Sequence, residues 1–290
     1  MIHFIVNTKS GKGKGRKALK KLSDYCHSQN IDFSTHITAK IGHATELART
    51  LNQAKAENIV AVGGDGTFSE VLNGIEDFTQ TTLGFIPAGR GNDYAKAAKL
   101  NLNPIKALKD ILKGETVQHD YLEVSGKRCL NVAGTGIDVA VLERADGKSG
   151  KITYLKSLLH CLKYFKPFQF KVTVNGEESH HDTIMIGVCN GVAIGSGLTI
   201  SPLSKIDDGK LNLVVVGVPQ DGKLLKALLK FKKGKHIGTE FTTHIVCDEV
   251  LIEPLNTPHP IQIDGEIYHN MPLHCKIVAG GLKTFKVNKE

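Results

Sequence analysis

The apolar run Ile59-Val60-Ala61-Val62 passes through Gly63-Gly64-Asp65-Gly66-Thr67 into Phe68-Ser69-Glu70-Val71-Leu72, and no other stretch constrains this chain as strongly. It describes a short buried strand that ends in three glycines around one carboxylate and then enters a helix. Glycines let backbone amides approach phosphate oxygens, and a helix N-terminus adds partial positive charge there. The same pattern also fits a tight strand-to-helix turn in which Asp65 caps the helix.

The surrounding sequence supplies a layered setting for that loop. From residue 1 to about 115, strand and helix signals alternate, as in a parallel sheet covered on both faces. Strands are expected at Ile2–Val6, Phe33–Thr38, Ile59–Val62 and Thr82–Ile86. Helical spacing recurs through Ala18, Leu19, Leu22, Tyr25 and Cys26, and through Ala44, Leu47, Ala48 and Leu51. Asn103-Pro104 reads as a helix cap followed by a first-turn proline.

Past residue 116 the texture turns to strands, at Val117–Val124, Cys129–Val132, Phe170–Val174, Thr183–Cys189, Leu211–Val218, Val250–Glu253, Pro260–Ile263 and Leu273–Val278. The pairs Asn175-Gly176, Asp208-Gly209 and Asp264-Gly265 separate several of them, which suits antiparallel hairpins. Two amphipathic helical segments interrupt the pattern, Ile152–Phe165 and Asp221–Phe231. Each carries leucines beside lysines, as in a core-packed helix with a wet basic face or a helix lying on anionic lipid.

Charged residues form 23% of the chain and hydrophobic ones 41%, an ordinary balance for a globular enzyme and not that of a disordered chain. No apolar run reaches the roughly 18 residues of a bilayer span, and the N-terminus lacks the basic start of a signal peptide. A cytoplasmic location follows as the expectation. Six cysteines without a CxxC pair read as reduced core thiols. Thirty-seven Lys and Arg against twenty-nine Asp and Glu leave a net charge of +8. That surplus favours an acidic partner: nucleotide phosphate, nucleic acid or an anionic membrane.

Two further loops join the first. Asn7-Thr8-Lys9-Ser10-Gly11-Lys12-Gly13-Lys14-Gly15 follows the first strand but misses the GxxxxGK[ST] spacing. Pro87-Ala88-Gly89-Arg90-Gly91-Asn92-Asp93-Tyr94 follows the fourth, with Asn92 or Asp93 as a helix cap. In a parallel sheet such loops gather at the carboxyl ends of the strands, where ligands bind.

Gly63–Thr67 with Glu70 and Asn73-Gly74, Pro87–Tyr94, and Asn131-Val132-Ala133-Gly134 with Gly136-Ile137-Asp138 together resemble the diacylglycerol kinase catalytic-domain family of bacterial lipid kinases, which is related to sphingosine and ceramide kinases. The resemblance continues through Asn190-Gly191, Gly195-Ser196-Gly197, Ser201-Pro202, Lys205–Leu211 and Asp264-Gly265-Glu266, so it spans nearly the whole chain.

It implies an N-terminal three-layer α/β domain of the NAD kinase and phosphofructokinase type over residues 1–118, joined by a returning terminal strand near 281–290. A C-terminal antiparallel β-sandwich would occupy 119–280, with the active site in a cleft between the domains. By matched position, Glu266 would be the catalytic base and Asp65 its partner at the nucleotide phosphates. Thr38, Gly63, Gly64, Asp65, Gly66, Thr67, Phe68, Ser69 and Arg90 would contact nucleotide, although Arg90 stands where the family often has Thr or Ser, and Ser69 replaces a frequent Asn. Lys205, Asp208 and Lys210 would form a structural magnesium site, Asp208 through its side chain and the lysines through backbone carbonyls.

The implied function is an ATP- and Mg2+-dependent kinase acting on a membrane lipid, most simply diacylglycerol to phosphatidic acid. Such an enzyme would touch an anionic membrane surface from the cytoplasm. A homodimer is allowed, and no nucleic-acid partner is expected. Two other readings stay open on the residues: an NAD kinase-like small-molecule kinase, which shares the GGDGT loop, and a non-catalytic lipid- or nucleotide-binding module.

Overall fold

The computed structural model describes residues 1–145, 157, 160, 161, 164, 166–195, 198–218, 227, 229–231 and 233–287. The chain divides into two compact units, Met1–Asp120 with Gly280–Glu290, and Tyr121–Ala279.

The first unit is a parallel sheet built from β1 (Ile2–Val6), β2 (Phe33–Ile37), β3 (Asn58–Gly63) and β4 (Thr82–Pro87). Its helices are α1 (Ser10–Ser28), α2 (His43–Gln53), α3 (Asp65–Gly74), α4 (Asp93–Ala97) and α5 (Pro104–Leu112). The strand order is β2-β1-β3-β4. β3 and β4 are buried along almost their whole length, because helices cover both faces and every side chain meets a packed layer. Phe4, Val6, Leu22, Val60, Val62, Ile86, Leu108 and Phe285 share one core cluster. Truncating a fully buried leucine such as Leu108 would cost about 2–5 kcal/mol.

Helix starts follow local chemistry in one place and depart from it in another. The Asn103 side chain accepts the N–H groups of Ile105 and Lys106 at 3.0 and 3.3 Å, the cap expected for α5. Neither Asn92 nor Asp93 caps α4 as expected. Asn92 holds the cap position with φ 51° and makes no side-chain cap bond; its Oδ1 instead accepts the N–H of Gly89 at 3.0 Å. The loop took precedence over the helix, which has only five residues.

β5 (Thr116–Val124) leads into the second unit, followed by β6 (Lys127–Cys129), β7 (Val132–Gly136) and α6 (Ile137–Ala145). Next come β8 (Phe168–Val174), β9 (Glu177–Thr183), β10 (Met185–Cys189), β11 (Ala193–Ile194) and β12 (Leu198–Thr199). The chain continues with β13 (Leu211–Val216), β14 (Thr242–Cys247), β15 (Glu249–Pro254), β16 (Ile261–Ile263), β17 (Glu266–Tyr268) and β18 (Leu273–Phe285).

One layer of this unit runs β18-β15-β8-β9, and the other β14-β13-β10-β7-β16-β17. They enclose Leu122, Phe170, Val172, Ile186, Val188, Leu213, Ile252 and Ile263. β13 explains why Leu-Asn-Leu-Val-Val-Val lacks a polar face. Leu211, Leu213 and Val215 enter the sandwich core, while Val214 and Val216 pack with Ile137 and Val141 of α6 on the other side.

Several expected strands are redrawn. The run from Cys129 to Val132 is broken into β6 and β7, because the Asp264 carboxylate takes the N–H groups of Leu130, Asn131 and Val132. The terminal strand is not a separate element: β18 runs unbroken from Leu273 to Phe285, and Thr284 pairs with Leu83 of β4. β9 escapes an apolar search because Glu-Glu-Ser-His-His-Asp-Thr is almost wholly exposed; its pairing with β8 makes it a strand. The two basic helical segments and Ser196-Gly197 lie largely or wholly outside the described residues. No helix among the described residues is long and apolar enough to cross a membrane.

Candidate functional site

In the first unit, register brings three loops to one sheet edge. Val6 pairs with Val62, Val62 with Ile86, and Gly63 with Pro87, so the chain leaves β1, β3 and β4 at the same level. Asn7 N–H donates to the Val62 carbonyl at 3.0 Å, and Ala88 N–H to the Gly63 carbonyl at 2.5 Å. Asn7 Nδ2 donates to Thr67 Oγ1 at 3.2 Å, and Ser10 Oγ donates to the Ala88 carbonyl at 3.4 Å.

The loops touch through main chain. A Cβ added to Gly89 would lie 2.5 Å from the Gly64 Cα, so only glycine admits this approach. At Gly66 no atom of the described residues lies within 4 Å of where a Cβ would stand. Bare backbone amides at the start of a helix, beside a space free of side chains, suit an anion.

Asp65 is the first residue of α3, and Gly64 holds the extended cap position before it. Asp65 Oδ1 accepts the N–H of Tyr94 at 3.2 Å, tying this loop to the one after β4. Tyr94 is itself fixed: its ring lies 4.8 Å from that of Phe68, and its hydroxyl meets His119 Nδ1 at 2.8 Å. Burial pushes the Tyr94 hydroxyl well above the ordinary tyrosine pKa, so it stays protonated.

The remaining expected contacts divide by direction. Thr38 lies just past β2 at the same edge, its N–H and hydroxyl both donating to the Val6 carbonyl at 3.0 and 3.4 Å. The Phe68 side chain is fully buried and stacks on Phe85 at 4.4 Å, which leaves only its backbone for a ligand. Ser69 is half-buried on α3, and Arg90 is exposed in the loop after β4. Glu70 faces away from the loops: its Oε2 accepts the Ala44 N–H at 3.1 Å at the start of α2. Sequence reasoning passed over Asn7 and Ser10 as ligand-loop braces; their signal was the glycine- and lysine-rich run after the first strand.

In the second unit, Asp264 and Gly265 have φ of 49° and 90° and form the two-residue turn between β16 and β17. Asp264 is structural in its contacts. Its oxygens accept the N–H groups of Leu130, Asn131 and Val132 at 2.7, 2.9 and 3.3 Å. Burial raises its pKa and those backbone bonds oppose the rise. Glu266 is exposed at the start of β17, and its Oε2 accepts the Tyr268 hydroxyl at 2.8 Å. The Lys127 ammonium sits 4.9 Å from the centroid of that tyrosine ring. The carboxylate therefore stands at a pinned turn, with a hydroxyl donor beside it and a cation nearby.

The segment from Lys205 to Lys210 is a turn before β13. Asp208 Oδ1 accepts the Lys210 N–H at 3.1 Å, and the Lys210 ammonium pairs with Asp248 at 2.7 Å. Among the described residues, no three His, Cys, Asp or Glu side chains gather as a metal cluster. One exposed carboxylate, supplemented by carbonyls and water, is nevertheless a donor set that magnesium accepts. All six cysteines are unpaired and buried.

Comparison with known proteins accounts for both units. Residues 1–124 match the diacylglycerol kinase catalytic domain, and residues 131–286 match the YegS C-terminal NAD kinase beta sandwich-like domain. The diacylglycerol kinase of Bacillus subtilis (strain 168) is 24% identical, over 93% of this chain and 90% of its own length. The "Probable lipid kinase YegS" of Salmonella gallinarum is 27% identical over 94% and 93%. A crystal structure from Bacillus anthracis str. Sterne, described provisionally as a diacylglycerol kinase, superposes with a TM-score of 0.81 at 26% identity, covering 98% and 96% of the two chains. The chain therefore belongs to the diacylglycerol kinase and YegS-like family of lipid kinases.

Proposed function

We propose that this lipid kinase transfers the γ-phosphoryl group of ATP to the hydroxyl of a membrane lipid, with diacylglycerol as the first candidate and phosphatidic acid as its product. The observation that carries the nucleotide side is the meeting of three glycine-bearing loops at the ends of β1, β3 and β4 around Asp65. Family membership implies ATP use. Diacylglycerol as acceptor is supported by the name of the Bacillus subtilis relative.

In this reading the amides of Gly64, Gly66 and Thr67 face the phosphates, and Asp65 orients them through the loop it ties to Tyr94. Glu266 accepts the proton of the lipid hydroxyl as its oxygen bonds to the γ-phosphorus; the bond from that phosphorus to the bridging oxygen breaks, and ADP leaves. Asp65 would also hold nucleotide-bound magnesium, and Asp208 with the carbonyls of Lys205 and Lys210 a second ion. Magnesium, when bound, would neutralise charge on phosphate oxygens and stiffen the turn before β13.

Contact with an anionic membrane is supported by the +8 charge and by the exposed Lys12, Lys14, Arg16, Lys17, Lys20 and Lys21. Incubating purified protein with labelled ATP and vesicles of diacylglycerol in phosphatidylglycerol should yield labelled phosphatidic acid. Label appearing on another lipid of a total extract, and none on diacylglycerol, would replace the substrate. Label passing to NAD and to no lipid would overturn the reading.

A further inference from the structure

The second unit buries a polar pair that the proposed reaction does not use. Gln262 lies in the middle of β16, fully buried, opposite Gly134 of β7 and Ile267 of β17. Its neighbours Ile261 and Ile263 turn into the sandwich core, so alternation sends Gln262 to the other face. There it meets Asp138, buried in the first turn of α6.

The two side chains share the space above Gly134. A Cβ on that glycine would stand 3.0 Å from Asp138 Oδ2 and 3.4 Å from Gln262 Nε2. Among the described residues, Asp138 Oδ1 and Gln262 Nε2 have no hydrogen-bond partner, an arrangement that packing alone does not require, since an apolar side chain would fill the same volume without desolvating an amide.

The other end of the amide is engaged. Gln262 Oε1 accepts the Gly265 N–H at 2.9 Å. The bonded N–H belongs to the Asp264–Gly265 peptide, so this bond fixes the tight turn that delivers the chain to Glu266. The amide has one favourable orientation. Its NH2 faces the Asp138 carboxyl and its oxygen faces the Gly265 N–H; flipping it would set oxygen against oxygen and N–H against N–H. Burial pushes the Asp138 pKa up to about 6, and the nearby Gln262 amide works against that rise without forming an aligned bond.

We propose that Gln262 is a positioning residue for Glu266, its side-chain oxygen holding the Asp264–Gly265 peptide of the turn so that the glutamate carboxylate is presented in one direction. The inference rests on the reading of Glu266 as the proton acceptor. A displacement of about 1 Å at a reacting group costs on the order of a hundredfold in rate.

The test compares Q262L, Q262E and E266A as purified full-length proteins, measuring kcat, KM for ATP, KM for diacylglycerol vesicles and the thermal midpoint. Q262L should keep its fold and its KM for ATP while kcat falls roughly ten- to a hundredfold. Q262E, made in a D138N background so that its second oxygen faces an NH2 rather than a carboxyl, keeps an oxygen acceptor at the same reach and should recover most of that loss. Wild-type kcat in Q262L beside an inactive E266A would overturn the positioning role alone. An E266A enzyme with near wild-type kcat would overturn the reading of Glu266 and the positioning role with it. If Q262L does not fold, Q262M takes its place; loss of folding in both, or a kcat loss that Q262E leaves unrescued, would make Gln262 a packing residue and overturn the proposal.

Discussion

The glycine loops of the first unit and the acidic hairpin of the second reach rigidity by opposite means. At Gly64 and Gly89 side chains are absent, and main chain meets main chain. At Asp264 and Gln262 the half-buried carboxylate and the buried amide hold the main chain, accepting four backbone N–H groups at Leu130, Asn131, Val132 and Gly265. The contrast teaches which chemistry each region can serve. Exposed amides recognise a phosphate without a titrating group, whereas a carboxylate that must receive a proton needs a turn held from behind.

The largest expected effect would come from the groups placed at the reaction. E266A should lower kcat by about 10²–10⁴ with little change in ATP affinity, and D65A should lower both; steady-state kinetics with calorimetric ATP titration separates the two. Equal loss of ATP binding in both variants would break the division of labour between the regions.

Next comes the backbone approach. G89A places a methyl against the Gly64 Cα, so the loops must part; ATP affinity should fall at least tenfold, with a stability loss of about 1–3 kcal/mol. Wild-type affinity in G89A would show that the close approach is dispensable. D264A leaves three part-buried N–H groups without their acceptor and should cost about 2–4 kcal/mol in chemical denaturation, while leaving ATP binding intact.

The smallest effect is a dependence on pH. Asp138 is raised from 3.8 to about 6 in the folded chain, so the folded state binds the proton more tightly. Its contribution to stability is therefore favourable at low pH and is lost as pH rises from about 4 to 6, a change of about 1–3 kcal/mol. D138N should be the more stable protein at pH 7, and the gap in thermal midpoint should close toward pH 4. A gap independent of pH would assign the difference to packing.

Some of this was legible in the residues. The Ile59–Thr67 pattern announces a buried strand, a glycine turn and a helix because β-branched residues, glycine and periodicity act locally. The Asn103-Pro104 cap and the Asp264-Gly265 turn are legible for the same reason. The break between β6 and β7 was not, since the carboxylate that draws off its N–H groups lies more than 130 residues away. The capping role expected of Asn92 failed likewise: Gly89, three residues earlier, offered a competing donor. Glu70 carries the same motif as Asp65, yet it faces Ala44 on a neighbouring helix, a direction that spacing alone did not distinguish.

Residue type and short spacing carry the class of each unit and the candidate phosphate loop, while the ordered motifs carry the family resemblance from which Glu266 takes its candidate role as proton acceptor. Contacts between distant elements set which motif residues stay open and which face the core. They turned Phe68 inward, set Gly64 against Gly89 and placed Gln262 behind the Glu266 turn. Those outcomes depend on register and on contacts between distant strands, where a one-residue shift reverses every side chain.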